Sequence, residues 1–554
     1  MAPRCGTIAG VTRSSRIVAT LLLASVALPA ANDPKRVEWF RDLGLGLFIH
    51  WSLDSQITSV ISHSMPGADE AYLKRYIEEL PRSFNPKKFD PREWARLARL
   101  AGFKYVVLTT KHHSGFCMYD TETTDFNIMN TPYGRDLTKE LFDAFRAEGL
   151  AIGHYFSPDD FHFLYRQGTL ISRLRPEVLV NNNKELNDFN NAQMRELMRN
   201  FGKIDIVFFD PPTAAPVERD RIVGELKQIV WDENPEAIIT RGEMETPEQY
   251  TPGVPLEGAW EGNLTMGGQW QYRGTNENYK SGRTLINTWI ETRAKGGNLL
   301  LNIGPKPDGE IPIEQEARMR EMALWRFVNE EAVGAVRPWV ITNEGDIWFT
   351  KAKDENTVYA FVTNQDWDWG TQKSFTIQSV KATDRTEASV LGQNDLVLEY
   401  RPEVTPKTEI EQTAAGLKVT AWRAQRLYND RHWPNAVVIK LTHVEAGLQP
   451  PLVVTSDASW GGRGATLTGD LKDLGDASSV EVGFEYRRKK STAEMYEPDD
   501  PWKPVGKKMA PLSRPGEFSA QLSGVDTNRD WELRAVAKHP KVTLYGVTET
   551  LAAR

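Results

Sequence analysis

The chain has 554 residues, 40% hydrophobic, 10% aromatic and 26% charged, with Lys+Arg 67 against Asp+Glu 75 and a formal charge of −8. This balance excludes a disordered chain, a collagen-like fibre and a coiled coil, and the length points to two to four domains at roughly 150 residues each. No basic stripe of the kind that duplex nucleic acid requires is visible, so nucleic acid is not expected as a partner. Seventeen Trp, 16 Tyr and 22 Phe supply core, with enough flat rings to wall a pocket for a neutral, ring-shaped ligand.

Residues 1–31 read as a secretory signal. Arg4, Arg13 and Arg16 precede an apolar run from Ile17 to about Ala27, and small residues follow, with cleavage expected near Ala30 or Ala31. That run is short for a bilayer, and nothing later stays apolar for eighteen residues, so no membrane span is expected. The expectation is an exported protein: periplasmic, extracellular, or lysosomal in a eukaryote. Cys5 would leave with the signal. Cys117 then remains alone, which excludes an internal disulfide and a cysteine-built metal site.

From 44 to 310 short apolar runs alternate with amphipathic stretches. The runs are GLGLFIH (44–50), YVVLTT (105–110), AIGHYFS (151–157), IDIVFFD (204–210), AIITRG (237–242) and NLLLNIGP (298–305). Helical patterns such as 89–102 and 138–151 separate them; Asp90 with Pro91 starts the first and Gly102 ends it. Continuous apolar strands between helices read as parallel strands buried on both faces. The fold class expected is therefore α/β: a (β/α)₈-like catalytic barrel over 32–335, with a doubly wound open sheet as second choice. Beyond about residue 335 period-2 alternation predicts a β-sandwich over 336–444. LQPPLVV (448–454) then leads into a fibronectin type III-like module over 445–554, to which no chemistry is assigned.

In a barrel, residues just past the strands converge on one face. His50-Trp51, Lys111-His112-His113, Tyr155, Asp210 and Arg241-Gly242-Glu243 all occupy such positions. Asp210 ends IDIVFFD, where a carboxylate is costly unless chemistry needs it, and it could attack a sugar's anomeric carbon. A glycosidase also needs an acid for the leaving oxygen. Glu243, Glu245, Glu248, Glu257 and Glu261 are all available, and spacing does not choose among them. Adjacent residues on a strand point to opposite faces, so His112 and His113 are not expected to share a metal ion; donation to sugar hydroxyls suits them better. No cofactor is implied, and no G-x-S-x-G or nucleotide loop is present. Asn263-Leu264-Thr265 is an N-glycosylation sequon.

Read together, GLGLFIHWS (44–52), KYVVLTTKHHSGFCMYDTETTDFN (104–127), HYFSPDDF (154–161), GKIDIVFFD (202–210) and KGGNLLLNIGPKPDGEIP (295–312) resemble the α-L-fucosidases of glycoside hydrolase family 29. The likeness covers roughly 36–335. ISHSMPGADEAYLKRYIEELPRSFNPKKFD (61–90) is similar to the branch that prefers α-1,3/1,4-linked fucose. The resemblance implies an irregular (β/α)₈ barrel followed by a β-sandwich. It implies a retaining exo-glycosidase with Asp210 as nucleophile and Glu248 as acid/base, Glu245 being second choice. His50, Trp51, His112, His113, Tyr155, Phe208 and Arg241 would bind the sugar, Phe208 replacing a frequent Trp, with Phe208, Phe209 and Trp51 as apolar wall for the fucose methyl. The expected partner is a fucosylated glycan; a silent fucose-binding protein on the same scaffold is the competing reading. Ser114 in place of a frequent Asp, Pro211 after the nucleophile, and the Arg/Leu-rich stretch LYRQGTLISRLRPEVL depart from the family pattern.

Overall fold

The apolar runs of the first three hundred residues become strands of one parallel sheet. In the computed structural model these are β1 (Leu45–Ile49), β2 (Tyr105–Lys111), β3 (Ala151–Phe156), β4 (Ile206–Phe209), β5 (Ile238–Ile239), β6 (Glu261–Thr265) and β7 (Asn298–Ile303). They lie in the order β5-β4-β3-β2-β1-β7-β6. The structure describes residues 31–554 apart from 212–215, 276, 429–432, 463, 492, 493, 495, 496 and 498, with backbone alone over 216–222. The signal expected over 1–31, with Cys5, lies but for Ala31 outside the described residues, as does Pro212.

Side chains alternate across this sheet. Phe48, Tyr105, Val107, Tyr155, Ile206, Phe208, Ile238 and Leu300 fill the concave interior. Leu47, Ile49, Val106, Leu108, Ile152, Val207, Phe209 and Leu301 pack outward against the helices. Burial on both faces is why these runs lack polar alternation. Gly46 has no room for a side chain, because a Cβ there would stand 2.2 Å from the Tyr105 ring. The expected helix over 89–102 forms as Pro91–Ala101: the Asp90 carboxylate caps the Arg92 and Glu93 amides, and Gly102 ends it at φ 98°.

The (β/α)₈-like barrel forms with one irregularity. Among the described residues the sheet has seven strands, and the gap between β5 and β6 holds an irregular segment, 244–249, instead of a strand. That segment runs alongside β6, with Glu261 N donating to Glu245 O, Asn263 N to Pro247 O and Gln249 N to Asn263 O at 2.9–3.0 Å. β6 itself is EGNLT, which is not among the apolar runs of the sequence. Its polar residues face the interior, so apolar periodicity gave no sign of it.

Past the helix Ile313–Asn329 the chain is β-rich. A five-stranded antiparallel sheet centred on Val358–Val362 and a three-stranded sheet centred on Gly416–Trp422 share a core of Phe349, Ile377, Leu417, Val419, Ile439 and Leu441. After Pro450-Pro451, the strands Leu452–Gly461, Gly464–Asp473 and Gly516–Leu522 form a further antiparallel sheet. It packs on the sheet built around Val480–Arg488 and Trp531–Lys538, through Leu467, Leu471, Val482, Phe484 and Leu533. No helix of the described residues is long and apolar enough to cross a membrane.

Candidate active site

The C-terminal ends of β1–β5 deliver their side chains to one place, and Asp210 is its centre. Asp210 Oδ2 accepts from Tyr155 OH at 2.6 Å and lies 3.3 Å from His113 Nε2. Oδ1 faces Arg241 Nη1 at 3.4 Å and Arg173 Nη2 at 3.6 Å. Burial alone would raise this carboxyl's pKa. The charge of Arg173, followed by His113 and Arg241, outweighs burial and holds it well below the usual carboxylate range. Asp210 is thus a largely buried carboxylate kept ionised, hydrogen-bonded by Tyr155 and Arg241, with His113 and Arg173 beside it.

Arg241 joins it to a second carboxylate. Its Nη2 donates to Glu248 Oε2 at 2.9 Å, while Nε bonds Thr246 Oγ1 at 3.1 Å and the guanidinium covers the Phe208 ring at 4.6 Å. Asp210 is 17% exposed and Glu248 36%, which sets the first deep and the second at the mouth. The other glutamates go elsewhere. Glu243 pairs with Lys227, Glu245 and Glu257 are exposed, and Glu261 lies inside the barrel against Tyr105 OH at 2.6 Å. Gln249, next to Glu248, has the left-handed φ of 63°, and its Oε1 accepts from Thr265 Oγ1 at 3.1 Å. Strained backbone of this kind holds when its surroundings over-determine it.

Three histidines line the remaining wall. His50 Nδ1 bonds Asn302 Oδ1 at 2.7 Å, His112 Nδ1 bonds Ser62 Oγ at 2.8 Å, and His113 Nδ1 bonds Ser157 Oγ at 2.6 Å. Burial first, and Arg173 as well for His113, pushes His50 and His113 down to about 3; burial also lowers His112. All three are therefore neutral at physiological pH, each with Nδ1 fixed by the protein; Nε2 of His113 faces Asp210, while Nε2 of His50 and of His112 is left for other contacts. Tyr155 stacks between His112 (5.2 Å, 3°) and Phe208 (5.7 Å, 20°).

Several expectations change here. His112 and His113 do not point to opposite faces. The chain leaves β geometry after Lys111, the rings come to 4.1 Å, and their nitrogens with an Asp210 oxygen lie within 4.8 Å of one another. Within that set His113 Nε2 lies 3.3 Å from Asp210 Oδ2, an oxygen already engaged by Tyr155. Trp51 is not a pocket residue: it is fully buried outside the sheet among Phe84, Phe89 and Trp94. The pleat turns it away from its neighbour His50. Phe209 faces outward for the same reason, while Phe208 faces inward. The sequon Asn263 is 1% exposed, and its Nδ2 donates to the Thr246 and Pro247 carbonyls, so the folded chain offers no acceptor there.

The structure adds residues that the sequence did not single out. Trp270 packs on His50, ring centroids 4.8 Å apart, and is a better apolar wall than Trp51. Ser62, at φ 59°, holds His112 and the Ser114 amide; buried Asp54 accepts the Ser62 amide at 2.8 Å. His63 lies 5.3 Å from the His113 ring. Arg173 and Asp159 come from the loops after β3. None of these lies directly at a strand end, which was the signal used.

A parallel barrel whose mouth holds an ionised carboxylate and a second, partly exposed one across a shared arginine is an arrangement compatible with glycoside hydrolysis. The sequence model of the family Alpha-L-fucosidase matches residues 28–331, and the chain belongs to that family. It is 28% identical over 392 residues to the plasma α-L-fucosidase of Homo sapiens, covering 64% of this chain and 81% of that protein. Against the tissue α-L-fucosidase of Rattus norvegicus it is 28% identical over 442 residues, 71% and 91% of the two chains. Among solved structures, α-L-fucosidase isoenzyme 1 from Paenibacillus thiaminolyticus superposes with TM-score 0.60 at 26% identity, over 74% of this chain and 99% of that one. A GH29 α-L-fucosidase from Bacteroides thetaiotaomicron, trapped as a covalent intermediate, shares the fold with TM-score 0.60 at 22% identity, over 75% and 98%.

Proposed function

We propose that the protein is an exported, retaining exo-α-L-fucosidase that removes terminal, α-1,3/1,4-linked fucose from fucosylated oligosaccharides and glycoconjugates. The observation that carries this is the span of one guanidinium: Arg241 lies 3.4 Å from Asp210 and 2.9 Å from Glu248, so both carboxyl groups flank one small pocket. Asp210 attacks the anomeric carbon while Glu248 donates a proton to the glycosidic oxygen. The leaving alcohol departs and a fucosyl ester of Asp210 forms. Glu248 then takes a proton from water, the water oxygen attacks the same carbon, and the ester bond returns its electrons to Asp210. Tyr155 and His113 orient the nucleophile, and the Nε2 atoms of His50 and His112 meet ring hydroxyls. Trp270 with Phe208 gives the methyl an apolar wall.

The linkage reading rests on segment 61–90, which supplies the buried Ser62 and the exposed His63 and is similar to the α-1,3/1,4 branch. Export rests on the signal-like residues 1–31. The domain division proposed is 32–335, 336–444 and 445–554, the last two supported by the β-rich cores around Val419 and Val482; the barrel core also takes in Phe361 and Val438 of the second.

The test is free fucose released from a Lewis-type branched oligosaccharide, beside α-1,2- and α-1,6-linked substrates, with Asp210→Asn as control. Release from the branched glycan by the wild type alone supports the whole reading. Release by both proteins discards Asp210. Binding without release by the wild type favours the silent, lectin-like alternative.

A further inference from the structure

The segment LYRQGTLISRLRPEVL, a departure from the family pattern, sends one side chain to the nucleophile. Arg173 Nε donates to Asp159 Oδ2 at 2.8 Å. Its Nη2 stands 3.6 Å from Asp210 Oδ1 and donates to the carbonyls of Asp210 and Pro211 at 3.4 and 3.3 Å. Asp159 is 3% exposed and lies 4.0 Å from His113 Nδ1. One guanidinium therefore ties the end of β4 to the loop after β3 and faces two carboxylates at once.

Charge counting shows what it does there. Asp210 is faced by Tyr155 from β3, by the neutral histidines His113, His112 and His50 from the ends of β2 and β1, and by His63 from the 61–90 segment. Arg241, after β5, is shared with Glu248; Asp159 and Arg173 complete the set. Three carboxylates meet two arginines; Lys111, whose charge also acts on Asp159, is already paired with buried Asp160 at 3.4 Å. When Glu248 carries the proton it donates, Asp210 and Asp159 are balanced by Arg241 and Arg173. Without Arg173 two buried carboxylates would share one cation, and one of them would take up a proton.

We propose that Arg173, held by Asp159, is a positioning residue that fixes the charge and orientation of the Asp210 nucleophile, working as a pair with Arg241. The kinetic form of this inference rests on the fucosidase reading; the electrostatic form does not. Burial raises Asp159 to about 6 even against the opposing charge of Arg173, which agrees with a site short of cations.

The experiment compares the wild type with Arg173→Met, Arg173→Lys, Asp159→Asn and the Arg173→Met/Asp159→Asn double variant. With 4-nitrophenyl α-L-fucoside, the acid limb of kcat/KM against pH moves up by about one pH unit in Arg173→Met. It stays near the wild type in Arg173→Lys, moves down in Asp159→Asn, and returns toward the wild type in the double variant. An Arg173→Met enzyme that is slower with an unmoved acid limb overturns the proposal. The second readout needs no turnover: urea unfolding from pH 2 to 7, a range that reaches below the ordinary aspartate value of 3.8 where the Asp210 contribution is lost. Asp210 is held low in the folded state, so the stability it contributes is present above its unfolded pKa and lost as pH falls. The gap between wild type and Arg173→Met therefore widens as pH rises. A gap independent of pH overturns the proposal even if the wild type proves inactive on fucosides, an outcome that would refute the fucosidase reading separately.

Discussion

Glu261→Gln should make the protein more stable at neutral pH and leave it little changed at acid pH. Glu261 has no exposed surface; Tyr105 OH donates to Oε2 at 2.6 Å, and Oε1 is buried without a hydrogen-bond partner. Burial, opposed mainly by that Tyr105 bond, raises its carboxyl from 4.5 to about 7. The folded state therefore binds this proton more tightly than the unfolded chain does. The stability the group contributes is fully present below pH 4.5 and is lost as pH rises through about 7. At about 1.4 kcal/mol per pH unit, the loss across that interval is roughly 3 kcal/mol. Glutamine keeps an oxygen for Tyr105 and has no proton to lose. Urea unfolding of both proteins at intervals from pH 4 to 8 supplies the difference curve, in which every other titrating group cancels. The expected curve is near zero at pH 4 and climbs to roughly 3 kcal/mol in favour of the variant by pH 8. A flat curve, or one that falls with pH, would show that Glu261 is not protonated in the folded barrel and that burial was misjudged.

The acid/base assignment predicts that Glu248→Gln lowers fucose release from oligosaccharides by on the order of 10²–10⁴. A fucosyl donor with a strongly acidic leaving group should lose much less in that variant, while Glu245→Gln, whose side chain is exposed, should leave both rates unchanged. Trp270→Ala removes the ring against His50 and should raise KM for a small fucoside about five- to tenfold, with kcat falling less, if one aromatic face is worth ~1 kcal/mol. Trp51→Ala should cost about 3–5 kcal/mol in urea unfolding as a core truncation. Trp51→Phe should bind a fucose-like inhibitor as the wild type does, and weakened binding there would return Trp51 to the pocket.

How much was visible beforehand depended on whether a residue's neighbours were local. The apolar runs, the Asp90 cap and the Gly102 stop depend on side chains within a few positions, and each appears where expected. His50, His112, His113, Tyr155, Asp210 and Arg241 were found because the ends of parallel strands converge whatever lies between them. Trp51 and Phe209 were misplaced because proximity to a strand end says nothing about which face of the pleat a side chain takes. β6 was missed for the opposite reason: EGNLT carries its polar residues inward to Tyr105 and Arg241, reversing the pattern that marks a buried strand. Among Glu243, Glu245, Glu248, Glu257 and Glu261 spacing had nothing to offer, since a run of glutamates in a loop reads as solvated charge until something tethers the loop.

The chain by itself determined the class of the fold, the family and the identity of the carboxylate at the end of β4, because those follow from hydrophobic period, turn chemistry and strand-end position. Tertiary structure alone decided that Glu248 shares a cation with Asp210, that Trp270 and not Trp51 packs on His50, and that Arg173 and Asp159 reach Asp210 from the loops after β3. Each of these depends on groups tens of residues apart entering one low-dielectric space. There the balance of charge, more than any local propensity, selects which side chains face one another.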